Sequence, residues 1–532
     1  MLNKVLLYLR TIRRMKPSMV ASRLRGMRRV PEYVFAGSHS LTVPHIAISE
    51  LDLDPCYLAR FDVEALLDDE FVLINERRKV DLSEWNASGA SRLWNFNLHY
   101  FEWGVALAAR WHKTRDARYR NQFKWFVCSW MDACPYPKGD AWHPYTISLR
   151  LVNWLVAIDL FGDAFEEDDA FLDSMYESMY RQYRHLLANQ ETHLRANHWW
   201  ENLKTLVMMS AAFGERAEHA KVMHCFENQI SEQILPDGVH FERSLMYHKL
   251  LLEGMLRVWL ASDQIGFKLP DNFSVKLQLM LDAMASLENG MGKTPFFNDS
   301  ADGVAKECTP LSLACSHLLG VTADDSKTSF PDAGYYKLYD GDIAVMFDAG
   351  NPGPSYMLGH AHCDCLSFEL SCRGEPIIVN SGTYAYQSKL RPYFRSTAAH
   401  NTCVVGGEEQ LECWAEHRVG QRYRFVGIRA SEKSAEAAVE LPSGRTHRRR
   451  IRIDSGGLTV FDGTDGRIPL QSHVHVLRTD LASVHVGEGC DFAERDSKWS
   501  GRFSVLGDVR SAVVSGEGKA EYSICLKGGA SQ

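Results

Sequence analysis

Along residues 92–319 apolar positions recur at helical spacing, in long stretches rich in Trp, Leu, Met and Ala. The pattern predicts amphipathic helices over residues 100–111, 119–131, 147–161, 172–189, 199–213, 217–234, 245–264 and 275–289. Short polar or Gly/Pro connections separate them. No strict repeat relates them, so a run of helical hairpins predicts a bundle or an α/α toroid, not a solenoid. Around Pro331 the period falls to two. Strands are predicted over residues 335–347, 366–372, 376–380, 402–405, 422–428, 449–454, 458–462, 471–477, 502–506 and 520–526. That many short strands punctuated by Gly, Asp and Ser turns predict an antiparallel β-sandwich. The chain thus reads as a multidomain α+β protein. Residues 1–90 form a helix-and-loop arm packed on the next region without chemistry of its own, residues 91–325 the helical ring, and residues 326–532 the sandwich. The basic run over residues 445–452 reads as a solvated strand face.

At 532 residues the chain exceeds one ordinary core. Its 45% hydrophobic and 24% charged residues describe a globular protein. With 59 Lys+Arg against 67 Asp+Glu the net charge is −8, which argues against nucleic acid as a partner and leaves room for a local basic cleft. No apolar run reaches the roughly 18–20 residues of a membrane span. The basic start ends its apolar patch at Arg10, Arg13 and Arg14, too early for a signal peptide, and reads as an amphipathic helix. Thirteen irregularly spaced cysteines suit a reducing compartment, as would a cytoplasmic protein or an exported one trimmed of its signal.

Four stretches concentrate polar chemistry. His360 and His362 stand one residue apart after Gly359, so in a strand both imidazoles share a face. Such a pair ligates a metal, divides ligation from proton transfer, or sits half-exposed at a sheet entry. Asn197 and His198 precede a helix expected from Trp199, where free N–H groups favour an anion; Asn197 is equally a good N-cap. Residues 240–248 bring Glu242, Arg243, Tyr247 and His248 to helical spacing, with Tyr247 either reaching a groove or packing. Residues 391–402 carry Tyr393, Arg395 and His400, and His400 is placed to meet His362 across the sheet. Aromatic connections holding Trp94, Asn97, His99 and Trp142 would offer sugar-stacking surfaces at one end of the ring, or would be ordinary helix packing. Glu201 follows Asn197 by four residues.

These stretches together resemble the heparinase II/III-like family of polysaccharide lyases. The resemblance runs from about residue 94 to 414. It is carried by Asn197-His198-Trp199, by Glu242-Arg243-Ser244 followed by Tyr247-His248, by Gly359-His360-Ala361-His362 with Asp364, by Ser381-Gly382-Thr383-Tyr384, and by residues 394–401. It implies an incomplete (α/α) toroid joined to a β-sandwich, with the active site between them. The implied reaction is β-elimination at a uronic acid, leaving a 4,5-unsaturated uronate end. That reaction needs the C6 carboxylate neutralised, a base at C5 and an acid for O4. Asn197, with His198 beside it, matches the neutralising amide, Tyr247 the catalytic tyrosine and His360 the catalytic histidine; Tyr393 is a lesser candidate. Trp94, Asn97, His99, Trp142, Glu201, Arg243 and Arg395 are the substrate-binding candidates.

His362 and His400 match two ligands of a structural divalent metal (zinc, manganese or calcium), and no organic cofactor is implied. Asn380 stands where the family carries an aspartate, a weaker ligand for such an ion. The expected partner is an anionic uronate-containing polysaccharide from a bacterial setting: heparan sulfate, hyaluronan or chondroitin first, alginate or a capsular polymer second. A toroid glycoside hydrolase using Glu201, Glu242 or Asp299, and a carbohydrate-binding protein without turnover, are the competing readings.

Overall fold

The computed structural model describes residues 2–26, 41–137, 139–454 and 456–527. Helices Glu102–Thr114, Ala117–Ala133, Pro144–Phe161, Asp169–Ala188, Ala196–Ala212, Arg216–Gln233, Leu245–Gln264 and Phe273–Glu288 realise the helical period as an incomplete (α/α) toroid. Their apolar stripes meet in one core, where Trp85, Trp103, Trp130 and Trp154 are fully buried. Each such ring removes well over 100 Å² from water, and that burial drives closure of the ring. The segment holding Trp94 and His99, expected as a connection, is itself a helix, Arg92–Tyr100. Ser91 caps it by accepting from the Trp94 N–H at 3.1 Å, and Phe101 at φ 57° turns the chain into the next helix.

The C-terminal half is a β-sandwich in which every strand pairing is antiparallel. One sheet runs Arg424–Ala430, Ser434–Glu440, Thr446–Asp454, Gly457–Gly463, Lys519–Leu526, Ala482–Val486. The other carries Asp491–Trp499 at one edge and continues through Gly507–Glu517, Pro469–Val476, Glu375–Ile378, Phe368–Cys372 and Ile343–Asp348. Two strand expectations change. Residues 502–506 form no strand, and Asp491–Trp499 does, although its sequence shows no apolar alternation because nearly all of it faces solvent as an edge. Within the basic run, Arg449 is fully buried, not solvated: it forks onto both oxygens of Asp462 at 2.7 Å and donates to the Leu366 carbonyl at 2.7 Å. Burial is tolerable because the charge is matched and each guanidinium nitrogen donates a hydrogen bond.

The arm divides in two. Residues 41–90 join the helical core through Ile46, Leu51, Phe71 and Trp85. Helix Leu2–Ile12 instead crosses to the sandwich, where Trp414 donates its indole N–H to Thr11 at 3.1 Å. The halves are stapled by the turn at residues 298–300. Asn298 N–H donates to Asp364 at 2.5 Å, Asn298 Oδ1 accepts from His362 N–H at 3.1 Å, and Asp299 N–H donates to the His360 carbonyl at 3.0 Å. Ser244, from the helical half, donates to the Asp299 carbonyl at 2.5 Å. Among the described residues no helix is long and apolar enough to cross a membrane.

Candidate active site

A cleft of about 1320 Å³ lies between toroid and sandwich, larger than a small-molecule pocket requires. The helical half contributes Asn197 and Tyr247, each in the first turn of a long helix. Arg195 and Ala196, at φ 56° and 47°, bend the chain sharply so that the helix begins at Ala196. Asn197 is therefore inside the first turn and does not serve as its N-cap. Its Nδ2 donates to the Tyr145 hydroxyl at 3.0 Å, while its buried Oδ1 has no partner. Ser244 caps the second helix by accepting from Tyr247 N–H at 3.3 Å.

The sandwich half contributes His360, Tyr386, Arg391 and His417, all outside its strands. The Tyr247 and Tyr386 hydroxyls are 2.8 Å apart, and the Tyr247 ring centroid lies 4.2 Å from that of His360. Burial, with Tyr386 and Asp299 nearby, holds the Tyr247 hydroxyl well above its ordinary value, so it rests as a neutral phenol. Asp299, fully buried, organises this wall. Its Oδ2 contacts His360 Nδ1 at 2.9 Å and its Oδ1 contacts His362 Nε2 at 2.8 Å. Arg391 forks onto the same carboxylate, with Nη2 at 2.7 Å from Oδ2, and Thr383 donates at 3.3 Å. Burial works against the Asp299 charge, yet the Arg391 guanidinium and the two imidazoles outweigh it and keep Asp299 well below the usual carboxylate range. An ionised Asp299 accepts from His360 Nδ1–H, which leaves Nε2 as the unprotonated, base-competent nitrogen.

Glu242 sits between the two walls, with Oε1 4.0 Å from His360 Nε2 and a hydrogen bond from the Asn197 N–H. Burial raises its carboxyl above the ordinary value. His198 stacks by Tyr145 at 4.4 Å and holds Glu191 at 3.0 Å through Nδ1. Partial burial opposes its charge, and the Glu191 carboxylate outweighs this and raises the imidazole above its usual value.

Other expected site residues fall elsewhere. Trp94 is buried with its indole N–H on the Glu76 carbonyl, and Trp142 on that of Cys134, so neither offers a face to sugar. His99, accepting from Trp130 at 3.2 Å, is a core residue pushed down to about 3 by burial. Arg243 is buried outside the cleft against the Asp332 carbonyl. Arg395 does line the cleft, but its guanidinium is consumed by backbone carbonyls such as Ala361 at 3.0 Å. Tyr393 turns away from the cleft to the backbone of Lys498 at 3.2 Å. Asn97 and Glu201 do line the cleft, Glu201 paired to Lys204. Tyr386, Arg391 and His417 went unassigned in the sequence, and Asp299 was considered there only as a hydrolase carboxylate. The one local signal was Tyr386 standing two residues beyond Tyr384 on a segment already singled out.

The metal candidates do gather. His362 and His400 rings are 5.2 Å apart, and their ligand nitrogens lie within 4.8 Å of each other and of a carboxylate oxygen of Asp364. His362 Nε2 is spent on Asp299 and His400 Nε2 on the Phe394 carbonyl, so both buried Nδ1 atoms are left without partners as lone-pair donors. Burial lowers both imidazoles, His362 to about 4, keeping them neutral as ligands must be. The carboxylate behind His362 is the usual support of a metal-bound histidine. Asn380 Oδ1 is engaged by Ser367 at 2.7 Å and by Asn401 N–H, while Asp364 brings a carboxylate oxygen to the two histidines. The donor set fits a divalent cation.

Two family models match this chain: Heparinase II/III N-terminus over residues 56–311, and Heparinase II/III-like, C-terminal over residues 322–519. A heparin-sulfate lyase of Pedobacter heparinus is 22% identical over 350 residues, 59% of this chain and 52% of that protein. One of Bacteroides thetaiotaomicron is 22% identical over 460 residues, 72% of this chain and 65% of its own. The chain thus spans about half to two thirds of the length of these relatives. A crystal structure of heparinase III aligns with a TM-score of 0.71 at 14% identity, over 96% of this chain and 89% of that one, a likeness of fold. With matched segments covering most of both halves, the chain belongs to the heparinase II/III-like family.

Proposed function

We propose that this protein is a polysaccharide lyase that cleaves a uronate-containing glycosaminoglycan by β-elimination. The observation that carries the reading is the meeting, in one cleft, of the Tyr247 phenol, the His360 imidazole and the Asn197 amide. His360 Nε2 takes the C5 proton. The C5–H electron pair becomes the C4=C5 double bond as the C4–O4 bond breaks, and Tyr247 gives its proton to O4. The phenolate left behind is strongly basic in its buried setting, so it recovers a proton from the imidazolium beside it, and both groups are reset. The Asn197 amide, which spends one Nδ2–H on Tyr145 and has a second to give, and the raised Glu242 carboxyl, a donor when protonated, are suited to offset the C6 carboxylate, which makes C5–H more acidic.

Support for a glycosaminoglycan comes from the relatives named as heparin-sulfate lyases. A hydrolase would need two free carboxylates flanking the bond. Glu201 is paired to Lys204 and Asp299 to Arg391 and two histidines, so neither of these two candidates is free to act opposite Glu242. His362 Nδ1, His400 Nδ1 and Asp364 would hold a divalent cation, whose charge would tie the His360 segment to residues 397–400 and supply no proton transfer.

The test is incubation with heparan sulfate, hyaluronan and chondroitin, followed by ultraviolet absorbance of the unsaturated uronate and by reducing ends. A lyase raises both; reducing ends without absorbance would indicate a hydrolase, and neither signal would indicate a binding protein.

A further inference from the structure

We propose that the N-terminal arm builds a second oxyanion subsite at one end of the cleft, taking a sulfate or carboxylate on sugar rings flanking the reacting uronate. The inference deepens the lyase reading and rests on it. The arm, helices Leu2–Ile12 and Pro17–Gly26, lies outside both segments matched by the family models. It is tied to both halves. Arg10 pairs with Glu412 at 2.5 Å and Tyr8 stacks on Trp414 at 4.8 Å on the sandwich side. On the toroid side Lys16 pairs with Glu232, and Ser22 Oγ meets Thr192 Oγ1 at 2.5 Å. The arm is thereby held along the cleft and lines it.

What it presents there is cationic. Arg14 and Arg23 from the arm line the same cleft as Arg195 from the toroid and Arg418 and Arg422 from the sandwich. Arg195 reaches Glu232 at 3.8 Å, an acid already shared with Lys16. Among the described residues, Arg14, Arg23, Arg418 and Arg422 have no carboxylate within salt-bridge distance. Arg422 bonds only the Ser355 carbonyl at 3.0 Å, its Nε is buried without a partner, and burial and the nearby Arg14 lower it to about 10. Arg418 lies over the rings of Trp414 and Tyr8 at 4.8 and 5.0 Å, which holds its guanidinium in place. In a chain of net charge −8, Arg14, Arg23, Arg418 and Arg422 thus face one cleft with no carboxylate paired to them. Arg14 lies close enough to Arg422 to repel it, a repulsion that a bound anion would relieve. Their planar forks match carboxylate and sulfate oxygens. An extended polyanion whose uronate lies at Tyr247 would run its neighbouring rings along this surface.

The test uses the full chain and the exposed pair Arg14→Ala/Arg23→Ala, with Arg14→Lys/Arg23→Lys as the charge-keeping variant. On a long sulfated uronate polymer the alanine pair should raise KM about tenfold with kcat changed less than twofold, and the lysine pair should recover most of that loss. On a disaccharide, too short to reach the arm, KM should match the parent. Kd for a heparin-derived and for a hyaluronan-type hexasaccharide is measured calorimetrically in a Tyr247→Phe background, where turnover is strongly slowed. A weaker Kd for both assigns a carboxylate subsite, and a weaker Kd for the sulfated one alone assigns a sulfate subsite. Unchanged Kd and KM for both ligands in a normally melting alanine pair would overturn the proposal. So would failure of the Tyr247→Phe protein to bind either hexasaccharide. Should the parent turn over no uronate polymer, the lyase reading fails, and the Kd comparison still decides whether the arm binds oxyanions.

Discussion

The two walls of the cleft are built on opposite plans. On the toroid wall Asn197 and Tyr247 stand in the first turns of helices, aimed by local devices: the positive-φ bend at Arg195 and Ala196, and the Ser244 cap. On the sandwich wall His360, Tyr386 and His417 stand on irregular segments and Arg391 opens a single helical turn, Arg391–Phe394. There aim comes from a single buried carboxylate, Asp299, delivered from the helical half and bound to His360, His362 and Arg391. A locally aimed side chain survives the loss of its distant neighbours. One aimed by a buried ionic anchor does not, because removing the anchor leaves uncompensated charge.

Asp299→Ala should therefore do the greatest damage. It leaves Arg391 buried and unpaired and frees both histidines, so a loss of about 3–5 kcal/mol of stability is expected together with loss of turnover. Denaturant titration and the unsaturated-uronate rate measure the two, and a variant of parental stability would break the contrast. Tyr247→Phe, on the locally aimed wall, should lower turnover by roughly 10²–10⁴-fold while the melting curve stays near that of the parent. Parental activity there would remove Tyr247 from the chemistry.

The metal set sharpens the comparison from the sandwich side. A chelator should lower the melting temperature of the parent and leave that of His400→Ala unmoved; at ligand near 100 Kd the stabilisation is about 2.7 kcal/mol. Equal responses of the two proteins would show that His400 holds no cation.

Glu191→Gln tests the toroid side through pH. His198 sits above its unfolded value because of Glu191, so the pair stabilises fully below about 6.5 and the contribution fades as pH rises through the folded value. The parent should exceed the variant by under about 1 kcal/mol near pH 5.5, since the imidazole is partly exposed, with the gap closing by pH 8.5. A gap that widens with pH would refute the assignment. Tyr393→Phe should matter least: its hydroxyl serves Lys498 backbone outside the cleft, so about 1 kcal/mol of stability is at stake and the rate should move less than twofold. A tenfold fall in rate would return Tyr393 to the site.

Much was legible without coordinates because it is local. Helical and strand periods repeat within a few residues, so the eight long helices and most of the strands lie close to where the pattern puts them. Asn197, Tyr247 and His360 were likewise visible, as short runs dense in polar groups. The pair His360/His362 announced itself by spacing, although only the fold separates their duties: His360 stays 14% exposed to the cleft while His362 is fully enclosed. Tertiary structure alone decided which aromatic lined the cleft and which faced the core. Trp94 and Trp142 carry the same side chain and differ from a stacking platform only by what surrounds them. It also brought Asp364 to His362 and His400, buried Arg449 inside a basic run, and brought Asp299 to partners 61 to 92 residues away. The reason is physical: a residue's period reports the element it belongs to, whereas its partners and its burial are set by elements far along the chain that no local pattern encodes.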